Sequence, residues 1–85
     1  MTLVALSIFD IKADYFSPPF FARSRNEGVR TFIEAGRDSQ SRLSQYPEDF
    51  VLYQVGVFND NDGRYEPHAE APARLCSMVE ALSNT

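Results

Sequence analysis

A chain of 85 residues is enough for one domain, spanning residues 1–85, which at this size buries only about 60% of the surface that its unfolded form exposes. With 44% hydrophobic and 24% charged residues and no polar low-complexity run, the composition excludes a disordered segment or a second domain. The formal net charge of −4 argues against a general DNA-coating protein, and the single cysteine, Cys76, excludes an internal disulfide or a zinc site built on several thiolates.

The first segment, Leu3 to Ile11, is apolar on both alternations: Leu3, Ala5, Phe9 and Ile11 on one face, Val4, Leu6 and Ile8 on the other. That pattern predicts a strand covered on both sides. It lacks a basic leader and is too short for a membrane span, so the expectation is a protein of the cytoplasm with no membrane partner. Asp14 to Phe21 follows with two prolines and four aromatics, which suits an ordered loop whose rings pack back on the domain.

Ser24-Arg25-Asn26-Glu27 has capping-box spacing and predicts the start of a first helix. Val29, Phe32, Ile33 and Gly36 then form one apolar stripe. Residues Asp38 to Pro47 read as a polar connection, and Phe50 to Phe58 as a second strand, again apolar on both faces. Asn59 to Gly63 supplies turn formers, so Arg64 to Glu66 is expected to return as a short antiparallel strand. Pro72 fits the first turn of a second helix, in which Leu75, Met78, Val79 and Leu82 recur at helical spacing.

The predicted architecture is therefore α+β: a single small domain of order β-α-β-β-α, with a three-stranded mixed sheet and two helices. If the two long strands lie parallel, the crossover through the first helix is right-handed. Two helices on one side of the sheet would leave an apolar face for a partner, and the expected partner is a second copy of the chain, a homodimer.

Charge is unevenly placed. Residues 23–42 carry Arg23, Arg25, Arg30, Arg37 and Arg42 against Glu27, Glu34 and Asp38, a local +2, whereas residues 43–85 carry two arginines against seven acids. On the first helix Asn26, Arg30 and Arg37 share one flank of the apolar stripe. Phe20 and Phe21 precede them, so cations and ring faces are interleaved as single-stranded nucleic acid requires. The competing reading makes the arginines ordinary partners of Glu34 on a solvated face, and the phenylalanines core residues.

Other chemistry finds no support. Asn59 to Gly63 lacks the first and last acids of a calcium loop, those positions holding Phe58 and Ala69. His68 and Cys76 stand eight residues apart, not at a ligand spacing, and Pro47-Glu48-Asp49 reads as solvated acids at the mouth of a strand. No phosphate loop, nucleophile elbow or metal triad occurs, so neither an enzyme nor a cofactor or metal is expected.

Pro19-Phe20-Phe21, Arg30-Thr31-Phe32, Pro47-Glu48-Asp49-Phe50 with Leu52-Tyr53, and Gly56 to Gly63 stand in an order that resembles the small nonstructural protein family of gokushoviruses, members of the Microviridae with single-stranded DNA genomes. The resemblance runs from Leu3 to Leu82. It implies a nonenzymatic phage protein, made in the cytoplasm of the infected bacterium and absent from the virion, that assists the change from duplex replication to single-stranded genome synthesis. It carries over no catalytic residues. It leaves two modes of action: contact with single-stranded DNA through the five arginines with Phe20 and Phe21, or an adaptor's contact with a viral or host replication protein.

Overall fold

The computed structural model describes residues 1–69 and 71–83. Its strands are β1 (Thr2–Asp10), β2 (Tyr15–Phe16), β3 (Phe20–Ala22), β4 (Phe50–Asn59), β5 (Arg64–Pro67) and β6 (Ala73–Ser77). Its helices are α1 (Arg25–Arg37), α2 (Arg42–Gln45) and α3 (Met78–Ser83), with a 3-10 turn at Pro47–Asp49. All six strands join one antiparallel sheet, in which β1 and β4 are central. Each outer column is made of two short pieces: β2 and β3 both pair with β1, and β5 and β6 both pair with β4.

This corrects the expected three-stranded mixed sheet with two helices. The two long strands are antiparallel because the chain reverses after Asp10, held by the Asp14 N–H donating to the Asp10 carbonyl at 2.7 Å. It then runs back beside β1 as β2 and β3. That return places the start of α1 at the Thr2 end of the sheet, so α1 climbs and β4 descends against β1. The crossover through α1 instead joins β3 to β4, which run parallel to each other on either side of β1. The segment read as one helix from Pro72 is instead a strand followed by a short helix, with Leu75 and Cys76 in β6 and the helix starting at Met78.

The start of α1 follows its local chemistry. Ser24 is the N-cap, its Oγ accepting from the Glu27 N–H at 3.1 Å, while the Glu27 carboxylate accepts from the Arg23 N–H at 3.2 Å. A fully reciprocal cap starts α3: Ser77 Oγ accepts from the Glu80 N–H at 3.1 Å, and Glu80 Oε1 accepts from the Ser77 N–H at 2.7 Å. Ser41 caps α2 in turn, accepting from the Ser44 N–H at 3.2 Å.

The core lies on one side of the sheet. Leu6 and Leu52 from the strands meet Phe32 of α1 and Met78 and Ala81 of α3, with Leu43 of α2 packed against them. Gly28 and Gly36 let the helices approach: a Cβ at Gly28 would stand 2.5 Å from Leu6 Cδ1, and one at Gly36 would collide with the sulfur of Met78. All three described helices thus cover the Leu6–Leu52 face, and among the described residues the opposite face has none.

Glu80 is pulled down to about pH 2 by the Ser77 backbone N–H, then by the Arg74 guanidinium, whose Nη2 is 2.7 Å from its Oε1. Because the folded value lies below the ordinary 4.5, the stabilisation is complete above that value and is lost as pH falls through about 2. An NMR titration of the Glu80 side chain is expected to give a midpoint near 2; a midpoint at 4 or above would show that the cap and the Arg74 bridge do not form in solution.

Candidate nucleic-acid interface

The five arginines predicted to face an anion are all exposed. Arg23 lies between β3 and α1, Arg25, Arg30 and Arg37 lie along α1, and Arg42 opens α2, which is tied to α1 by Ser41 Oγ donating to the Ala35 carbonyl at 2.8 Å. Among the described residues the ion pairs are those of Met1 with Asp60 and of Arg74 with Glu80, so none of the five guanidiniums is paired with a carboxylate there. A 13-residue helix spans about 20 Å, and these cations mark both of its ends and its middle.

They do not share one face. At 100° per residue Asn26, Arg37 and Arg30 fall within about 40° of one another on the flank of α1. Arg25 falls on the azimuth of the buried Phe32 and Gly36. Its Nε donates to Gln54 Oε1 at 2.5 Å, and Gln54, only 6% exposed, donates in turn to the Gly56 carbonyl at 3.2 Å. Arg25 thereby ties the helix to β4, a link that residue types in sequence gave no means of finding. Among the described residues Arg30 and Arg37 have no such anchor.

The two phenylalanines part company as well. β3 pairs with β1 in the register Val4–Ala22, Ala5–Phe21 and Leu6–Phe20, so adjacent side chains point to opposite faces. Phe20 packs against the core under the helices. Phe21 stands on the helix-free face, 47% exposed, with its ring centroid 5.4 Å from that of Phe58.

Of the residues that other readings singled out, Cys76 lies half-buried on β6, its thiol pushed up mainly by burial and further by the Glu80 charge. His68 is exposed, its backbone N–H donating to the Val55 carbonyl at 2.9 Å. The described residues contain no group of three His, Cys, Asp or Glu placed to hold a metal ion, and no helix among them is long and apolar enough to cross a membrane.

A family model described as Phage ORF5 protein matches residues 3–81. The chain belongs to that family. Among curated relatives, Protein ORF5 of Chlamydia phage 1, a gokushovirus, is 32% identical over 71 residues, covering 79% of this chain and 74% of the relative. No solved structure matches the chain. The matched region takes in all six strands except the first residue of β1, and all but the last two residues of α3.

Proposed function

We propose that this member of the Phage ORF5 family is a nonenzymatic, nonstructural protein of the infected bacterium's cytoplasm, left out of the virion, that assists single-stranded genome synthesis by weak contact with single-stranded DNA. The contact runs through Arg23, Arg30, Arg37 and Arg42, with Arg25 at the helix start and Phe21 nearby. The observation that carries the reading is that these guanidiniums are exposed and free of carboxylate partners among the described residues, in a chain of net charge −4. A cation left without an internal partner is available to displace counterions from a phosphate chain.

Fluorescence anisotropy on a labelled oligodeoxythymidine tests it. Log affinity is expected to fall with log salt by about 0.7 for each phosphate neutralised. Arg30→Ala together with Arg37→Ala is expected to reduce that slope by about 1.4. No binding at low salt, or a slope that the double variant leaves unchanged, overturns the reading.

The segregation of acids supports a second reading. Asp60, Asp62 and Glu66 are exposed on the hairpin joining β4 to β5, and residues 43–85 hold seven acids against two arginines. In that reading the chain is an adaptor that meets a basic surface of a viral or host replication protein. A pulldown from infected cells at low salt that recovers no replication protein counts against it.

A further inference from the structure

The helix-free face of the sheet carries a layer of rings. In register order it presents Leu3, Ala5, Ser7 and Phe9 from β1 and Val51, Tyr53, Gly56 and Phe58 from β4. Phe16, Phe21 and Tyr65 join them from the outer strands. The rings form two groups. Phe9, Phe16 and Tyr53 meet with centroids 4.7 to 6.2 Å apart, and Phe21 lies against Phe58, whose register partner is Tyr65. Ala5 and Gly56 pair beneath the second group, and the Tyr65 hydroxyl lies over Gly56. The groups are centred on Ala5 and Phe9, about 13 Å apart along β1.

Phe16, Phe21 and Tyr65 are 42%, 47% and 44% exposed, which is costly for rings unless something covers them. Charge indicates what does. The register positions of this face hold no carboxylate among the described residues; their one charged side chain is that of Arg74, opposite Tyr53 and bridged to Glu80. At its rim, β3 leads within two residues of Phe21 to Arg23, and then into α1. A face of rings with Arg23 at its β3 rim and no carboxylate at its register positions, on an otherwise acidic chain, suits a polyanion that also has flat apolar groups to stack.

We infer that this face is a base-stacking platform for single-stranded DNA. Unpaired bases lie on Phe16 with Tyr53 and on Phe21 with Phe58 and Tyr65, and the backbone leaves over the β3 edge toward Arg23. The inference rests on the proposed contact with single-stranded DNA and assigns the bases to the face opposite α1.

The test compares oligodeoxythymidine with an abasic strand of equal length and charge, using the full chain. The intact protein is expected to bind the thymidine strand about ten-fold tighter. Phe21→Ser and Tyr65→Ser, on different strands, are each expected to remove about that factor for the thymidine strand only and leave the salt slope unchanged. Photocrosslinking of the unaltered protein to 5-iododeoxyuridine strands supplies a readout that needs no variant, with adducts expected on the platform rings. Equal affinity for both strands with the arginine-dependent slope intact overturns the platform while leaving the proposed function standing. No binding of either strand at low salt removes both. If light scattering shows a dimer that Phe21→Ser dissociates while DNA affinity holds, the face belongs to a second copy and the inference fails.

Discussion

Phe32→Ala is expected to lower folding stability by about 3–5 kcal/mol. Phe32 is 1% exposed and packs in the cluster with Leu6, Leu52 and Met78, each at 0%. The loss falls at the upper end of what such truncations cost because the surroundings have no room to collapse. Four residues to either side, Gly28 and Gly36 already set α1 against Leu6 and Met78 as closely as a chain without Cβ atoms allows. The helix therefore has no slack with which to sink into the void, and the cavity term adds in full to the lost transfer energy. Domains of this size hold a total of roughly 4–13 kcal/mol, so the variant is left marginal or unfolded at room temperature. Urea unfolding followed by far-UV circular dichroism measures it. A loss under about 1.5 kcal/mol would mean that α1 does not sit on the sheet at the depth described.

The features legible from sequence are those governed by neighbours in the chain. Ser24 and Glu27 are three residues apart, and the bond from the Glu27 N–H to the Ser24 hydroxyl, with the Glu27 carboxylate accepting from the Arg23 N–H, starts α1 where the spacing places it. Gly63 takes a φ of 75°, a conformation open to glycine at little cost, so the turn from Asn59 closes and β5 returns as expected. What was missed depends on distant residues. β2 and β3 have two and three residues and are separated by Pro18 and Pro19, too short for any periodicity; they are strands because β1 offers them an edge. With that return hidden, the antiparallel sense of β4 was hidden too.

The error over the C-terminal segment has a different cause. Leu75, Met78, Val79 and Leu82 recur at helical spacing, yet Leu75 belongs to a strand; it packs on the core from β6, where the pairing with β4 shifts register between Leu52 and Tyr53. The true boundary was marked by Ser77-Met78-Val79-Glu80, a second capping box that repeats the logic of Ser24 to Glu27. Local hydrogen bonding outweighs periodicity where the periodic run has only four members.

For the candidate interface, residue types indicated the cations but not their directions. Phe20 and Phe21 can be assigned to opposite faces only once they are known to lie in a strand, and Arg25 can be told from Arg30 only once Gln54 is known to wait beneath it. The ring layer was less legible still. Phe9, Phe16, Tyr53, Phe58 and Tyr65 come from four strands, and only the register brings them together. The apolar character of β1 and β4 on both alternations was the trace this layer left in the sequence. One alternation faces helices and the other faces rings.

Gly56→Ala is expected to cost roughly 1–3 kcal/mol and to loosen β5 before the rest of the sheet. The added Cβ would stand 2.5 Å from the Glu66 carbonyl oxygen and 2.5 Å from the Tyr65 hydroxyl oxygen. The tyrosine could swing away, but the carbonyl is backbone and yields only if the strand moves. β5 has little to hold it in place: all four of its residues are exposed, and its pairing with β4 runs from Gly56–Pro67 to Asn59–Arg64. Displacement at the Pro67 end strains the hydrogen bond just beyond it, from the His68 N–H to the Val55 carbonyl. Amide exchange at His68 and Glu66 is therefore expected to speed up by about ten-fold for each 1.4 kcal/mol of local loss, while Leu6 and Leu52 in the central strands keep their protection. Uniform acceleration across β1 and β4 would show that the outer strand and the core open together. Unchanged stability and exchange would show that neither Tyr65 nor the β5 backbone approaches Gly56 as closely as described, and the floor of the second ring group would then need redrawing.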